Sequence, residues 1–258
     1  VQVSTTELAQ LLRFDLAGYA NADAASFTTR RIGEGETLYR AGDEFHSLYV
    51  VRSGFFKTLM LDPSGAEQVL AFPMTADVMG ADGIASGRYT SEAIALEASE
   101  VVVVPFARIS ALARECPPLE RVLYRVLSRE LVREQGMLYV VGMLGAEGRV
   151  AAFLLNLGER FGALGYSRTS FNLRMTRQEI GSLLGLKLET VSRALSAFDA
   201  AGFIKVNLKR VDIVDAGALR AMMEEPIAPV LRSGAARVRS SGPSGLVGNG
   251  LKPSSLPA

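Results

Sequence analysis

One cysteine, one histidine and no tryptophan occur in 258 residues. A single thiol, Cys116, excludes an intrachain disulfide framework and fits a reducing compartment. With His46 as the only imidazole, the usual thiolate and imidazole metal sites cannot be built within one chain, so no metal and no cofactor are expected. Long apolar runs are missing too. The longest, Val101–Val104, is strand-sized and stops at Pro105. That is far short of the ~20 residues a membrane helix needs, so no membrane partner is expected. No basic segment followed by an apolar stretch opens the chain, which points to the cytoplasm. Neither sign of charge dominates, with 28 Lys+Arg against 27 Asp+Glu. What remains is apolar bulk: 48% apolar and 21% charged side chains fill one large domain or two ordinary ones and exclude disorder over most of the length.

The balanced charge hides an asymmetry. Residues 1–144 carry 13 basic and 18 acidic side chains, residues 145–225 carry 11 and 9, and residues 226–258 add four basic groups and no acid. Positive charge therefore gathers towards the C-terminal end, where a polyanion would be met.

Texture divides the chain further. Residues 1–26 read as a short amphipathic helix with an Ala-rich connector. Residues 27–112 read as a β-barrel: short apolar or alternating segments such as 47–52, 55–61 and 67–72 are punctuated by Gly42-Asp43, Ser53-Gly54, Ser64-Gly65 and Gly80 to Gly87. Even spacing with glycine turns suggests a jelly roll. Residues 117–144 change period. Apolar positions three and four apart, including Leu123, Val126, Leu127, Leu131 and Leu138, predict a helix of ~26 residues, about 39 Å long, with Pro117 and Pro118 in its first turn. Such a helix outreaches the barrel, so its stripe is expected to meet a second copy as a two-stranded seam; packing on its own barrel is the other option. Glu134 falls on this helix, where a like charge facing its symmetry mate would oppose dimerisation, unless the position is simply solvated. Residues 226–258, rich in Gly, Ser and Pro, read as a disordered tail.

Residues 145–225 carry the most information. Thr176 and Glu179 have capping-box spacing ahead of Ile180, Leu183 and Leu184, and Gly185 breaks the pattern before a second helix. That helix is expected to bury Leu188, Val191, Leu195 and Phe198 and to present Glu189, Thr190, Ser192 and Arg193. This describes a helix-turn-helix. Arginine can bridge guanine O6 and N7, and a carboxylate can accept from cytosine N4, so Glu189 and Arg193, four apart on one face, suit base readout with Ser192 between them. Thr176, Arg177, Lys187 and Thr190 suit phosphate contacts near helix starts. Lys209 and Arg210 at the tip of a hairpin (203–206 and 211–214) make a basic wing. Double-stranded DNA is the expected partner; the bland alternative is an exposed Glu–Arg pair on an ordinary helix.

Here the chain resembles the CRP/FNR superfamily of transcription regulators, over about residues 27–220. The stretches Gly35–Glu44, Ser47–Gly54, Ala146–Phe153 and Met175–Arg193 are similar to its FNR branch. The resemblance implies an α+β fold: an N-terminal jelly-roll barrel like a cyclic-nucleotide-binding domain, a dimerisation helix and a C-terminal winged helix-turn-helix. In that branch a Glu-x-x-Ser-Arg set reads a TTGAT-type half-site. Glu189, Ser192 and Arg193 match it, which implies a homodimer on a palindrome like TTGAT-N4-ATCAA. Recruitment of RNA polymerase through surface loops, among them Ser53-Gly54 and Ser64-Gly65, or repression by occlusion, is implied in the same way. Lys187 departs from the threonine cap that is frequent there.

The sensor departs more. An FNR-type [4Fe–4S] cluster needs about four thiolates or substitutes, and Val102 stands near the family's barrel cysteine. The family's cyclic-nucleotide pocket has a Gly-Glu pair and an Arg-Ser/Thr pair. Here Gly80-Ala81-Asp82 and Tyr89-Thr-Ser-Glu92 stand instead, with Arg88 a few residues early, and a buried phosphodiester without arginine forfeits its bidentate contact. Cys116, ahead of the helix prolines, is either a redox switch or a packing thiol; His46 is either a haem ligand or a surface histidine. An unidentified ligand gating the barrel is the alternative function. A cupin-like enzyme lacks its metal triad, so no catalytic residue is assigned.

Overall fold

This computed structural model describes residues 2–14, 25–63 and 65–224; the expected tail at 226–258 and most of the Ala-rich connector lie outside them. The barrel is formed by β1 (Gln2–Ser4), β2 (Ser26–Ile32), β3 (Thr37–Tyr39), β4 (Ser47–Ser53), β5 (Phe56–Leu61), β6 (Glu67–Ala71), β7 (Val78–Met79), β8 (Glu92–Ala95) and β9 (Ser99–Pro105). Two antiparallel sheets run in the orders β1-β2-β9-β4-β7 and β3-β8-β5-β6.

The valine run of β9 is explained by burial on both faces. Val101 points into the barrel among Ile32, Tyr39, Phe56 and Met79. Val102 and Val104 point outward, beneath α1 (Thr5–Leu11), α2 (Phe106–Glu115) and α3 (Pro117–Met143), with Leu8, Ile109, Leu119 and Val122. Two elements differ from the sequence expectation. Within the segment read as helix and connector, Gln2–Ser4 form β1, where Val3 pairs with Phe27 on β2; Ser4 then caps α1 in a reciprocal box with Glu7. The barrel also ends at Pro105, because Ile109 and Ala113 seal α2 onto the outer face of the sheet.

Helix α3 runs 27 residues with both prolines in its first turn. The second module follows: α4 (Ala146–Ala163), β10 (Ser170–Asn172), α5 (Arg177–Leu184), α6 (Leu188–Ala200), β11 (Ile204–Asn207), β12 (Arg210–Ile213) and α7 (Ala216–Glu224). The hairpin β11–β12 is joined by β10 as a three-stranded sheet. Helix α7 has no counterpart in the sequence reading. Its fully buried Leu219 holds it against α4.

The two modules share one apolar core, in which Phe55, Val69, Phe72 and Met74 of the barrel join Phe153, Leu157, Leu183 and Leu195. Polar contacts fix the docking. Ser182 on α5 donates to the Glu67 carbonyl at 3.0 Å and accepts from the Val69 amide at 2.8 Å. Lys57 on β5 bridges Glu179 at 3.0 Å and Glu67 at 3.1 Å. Asp77, before β7, pairs with Arg133 of α3 at 2.6 Å and with Arg160 of α4 at 2.5 Å.

Candidate nucleic-acid interface

The turn between α5 and α6 is built by short-range chemistry. Thr176 accepts from the Glu179 amide at 3.1 Å while the Glu179 carboxylate accepts from the Thr176 amide at 2.7 Å, satisfying two orphan donors at the start of α5. Gly185 ends α5 in the left-handed region at φ 63, and Leu186 returns its amide to the Gly181 carbonyl at 2.8 Å. A Cβ on Gly181 would lie 2.6 Å from the Leu186 carbonyl oxygen, so this turn has no room for a larger residue. Arg149 of α4 donates to the Leu144 and Leu184 carbonyls, tying the ends of α3 and α5 together.

Helix α6 buries Val191, Ala194, Leu195 and Phe198. Leu188, expected in the core, is instead 43% exposed at the first turn, because the burial stripe begins only at Val191. Glu189 and Arg193 are exposed, with Ser192 and Thr190 partly covered between them. Neither Glu189 nor Arg193 makes an ion pair or side-chain hydrogen bond with any described residue, the other included, so among these residues both are free to meet a ligand. The barrel docks against α5 and leaves this face of α6 open.

The backbone-contact set is divided. Arg177 and Lys187 are exposed, and Lys187 stands at the N-cap of α6 without a side-chain cap bond. The Thr176 hydroxyl is engaged in its cap. Lys209 is exposed at the wing tip beside Leu208, which is 92% exposed at φ 55. Arg210 stays largely exposed beside the wing tip, with its guanidinium paired to Asp212 at 3.1 Å and to the Ser170 hydroxyl at 3.1 Å. The Ser170 hydroxyl and Arg210 hold the Asp212 carboxyl below its ordinary value.

The expected seam on α3 also splits. Val126 is buried against the barrel with Leu119 and Val122, which takes it out of the expected partner-facing row, while Leu123 beside them is only half-buried. Leu127, Leu131, Glu134 and Leu138 remain exposed. Tyr124, which the sequence reading missed, precedes them, and the row 124, 127, 131, 134, 138 follows the 3-4 spacing of a coiled-coil seam. Cys116 sits half-buried at the α2–α3 junction. His46 is exposed, 3.4 Å from Glu44. Gly54 packs against Ser99, where an added Cβ would clash, so its turn has a structural role; Ser64 lies outside the described residues.

A β-barrel followed by a long helix and a winged helix-turn-helix with an open recognition face defines a two-module DNA-binding regulator. The comparisons agree. Residues 29–116 match the cyclic nucleotide-binding domain family and residues 148–222 the Crp-like helix-turn-helix domain family. The chain is 42% identical over 193 residues to the transcriptional regulatory protein btr of Bordetella pertussis, covering 75% of this chain and 80% of that protein. It is 40% identical over 188 residues to the fumarate and nitrate reduction regulatory protein of Escherichia coli K12, covering 73% and 75%. The solved structure of FixK2 from Bradyrhizobium japonicum superposes with a TM-score of 0.69 at 27% identity, covering 76% and 96%. The chain belongs to the CRP/FNR family of transcription regulators, and it is not an enzyme. No helix among the described residues is long and apolar enough to cross a membrane.

Proposed function

We propose that the chain works in the cytoplasm as a homodimer that reads a palindrome of the TTGAT-N4-ATCAA type and regulates transcription there through RNA polymerase, without an FNR-type iron–sulfur cluster. One observation carries the reading: Glu189 and Arg193 stand exposed, without a side-chain partner among the described residues, one helical turn apart on the second helix of a helix-turn-helix. Free hydrogen-bonding groups at that spacing match the edges of a G·C pair and its neighbour. Arg177, Lys187 and Lys209 flank them as phosphate contacts. The exposed row on α3 supports the dimer, since its apolar members gain from burial against a second copy. One fact supports the absence of a cluster: Val102, near the position of the family's barrel cysteine, is fully buried in an apolar core.

Fluorescence anisotropy on the palindromic duplex and on a scrambled duplex tests this. Each bidentate arginine contact discriminates by about 1–3 kcal/mol, so Arg193→Ala, which removes one contact per half-site, is expected to weaken palindrome binding at least roughly thirtyfold. Salt-sensitive binding to the scrambled duplex stays near wild type. A variant that binds the palindrome as tightly as wild type refutes the assignment, as does a wild-type protein that sediments as a monomer on its operator.

A further inference from the structure

The barrel of a cyclic-nucleotide-binding fold invites a ligand, yet here a carboxylate and a tyrosine stack of the chain itself meet inside it. Asp82 lies on a short 3₁₀ turn, Ala81–Gly83, and its Oδ2 accepts four hydrogen bonds. The donors are the Thr90 amide at 2.9 Å, the Thr90 hydroxyl at 2.8 Å, the Ser91 amide at 2.8 Å and the Ser91 hydroxyl at 2.9 Å. Two amides and two hydroxyls converging on one point form a cradle for an anion, and a carboxylate oxygen satisfies them with charge-assisted bonds. Ser91 is buried, so without that oxygen its donors would lack an acceptor.

The space beside the cradle is occupied as well. Tyr39 stacks on Tyr89 with ring centroids 4.2 Å apart and on Tyr49 at 5.5 Å. The Tyr89 hydroxyl donates to the Ser47 carbonyl at 2.7 Å. Gly80, at φ 88, lets the stack approach: a Cβ there would lie 2.9 Å from the Tyr89 ring. Arg88, two residues before Thr90, faces elsewhere, since it donates to the Gly42 carbonyl at 2.7 Å. A cyclic nucleotide therefore does not fit: its phosphate would meet the Asp82 carboxylate and its base the tyrosine stack.

We propose that the barrel carries its own ligand. Asp82 seats an internal carboxylate on the Thr90–Ser91 anion cradle, the tyrosine stack fills the adjoining volume, and the barrel holds its ordered form without a small-molecule effector. Removing the carboxylate turns the cradle into a vacant site for a small external anion.

Thermal unfolding tests this whether or not the chain binds DNA. Asp82→Ala is expected to melt roughly 5 °C below wild type, the scale set by losing a charge-assisted network in a chain of this size. Acetate, or inorganic phosphate, is expected to restore at least half of that loss when compared with chloride at equal ionic strength. Wild type shows no such anion-specific shift and none with cyclic AMP. An Asp82→Ala protein that melts with wild type, or that gains nothing from acetate and phosphate beyond chloride, overturns the proposal. Stabilisation of wild type by cyclic AMP does the same. Should Asp82→Ala fail to fold, Asp82→Asn and Ser91→Ala are measured singly and together. A combined loss smaller than the sum of the two supports the cradle, and strict additivity overturns it.

Discussion

Replacing Asp77 with asparagine is the sharpest test of how the two modules are joined. Asp77 is 4% exposed and lies before β7, where it accepts from the Met74 amide at 2.9 Å. Its carboxylate also meets Arg133 of α3 and Arg160 of α4, and Arg160 donates besides to the Phe72 carbonyl at 2.9 Å. One buried charge thus holds barrel, long helix and DNA-binding module together. Asparagine keeps the size and an acceptor for Met74 but leaves Arg160 without its counter-charge and Arg133 with Glu130 alone. Charge-assisted bonds contribute about 1.5–3 kcal/mol each. The Arg133 side chain is 38% exposed, so water compensates much of its share. Arg160, at 24%, keeps most of its own. The net expectation is a loss of about 2–4 kcal/mol, against a typical total of about 5–15 kcal/mol. At about 2–4 °C per kcal/mol for chains of this size, Asp77→Asn is expected to melt roughly 5–15 °C lower. The decisive measurement is a double-mutant cycle in urea with Arg160→Gln, where a coupling of about 1–3 kcal/mol is expected. Coupling below about 0.5 kcal/mol would show that the pair contributes little, and the reasoning fails.

Two other perturbations follow from the same geometry. Burial pushes the Glu179 carboxyl up, but the Thr176 amide, Lys57 and the Thr176 hydroxyl outweigh it and hold it below 4.5. Burial lowers the Lys57 ammonium, yet Glu179 and Glu67 outweigh this and hold it above 10.5. The contact's stabilisation is therefore present between those values, is lost as pH falls through the depressed Glu179 value, and is lost as pH rises through the raised Lys57 value. Melting curves of wild type and Lys57→Met should accordingly differ most near neutral pH and converge at both extremes; a constant gap refutes the linkage. In the proposed dimer, Glu134 faces its symmetry mate between Leu131 and Leu138. Relieving that repulsion with Glu134→Leu is worth about 1–2 kcal/mol, which sedimentation should read as roughly tenfold tighter association. An unchanged dissociation constant would place Glu134 outside the seam.

Local physics was legible in the amino-acid order. The capping pair Thr176 and Glu179, the left-handed Gly185 and the prolines opening α3 all act within a few residues, so their spacing alone defines the turn and the helix starts. The four-valine strand was legible too, because burial on both faces leaves a continuous apolar run. Periodicity says which face of an element is apolar but not what covers it. Only the tertiary structure turned Val126 onto the barrel, left Tyr124 open in its place, exposed Leu188 and buried α7 through Leu219. Polar pairing has the same limit. Arg210 meets Ser170 forty residues away, Ser182 meets Val69 across 113, and Arg160 meets Asp77 across 83, distances over which sequence carries no periodic signal. The order of residues determined the module that meets DNA; the packing of distant segments decided how that module is held and which of its charges are free.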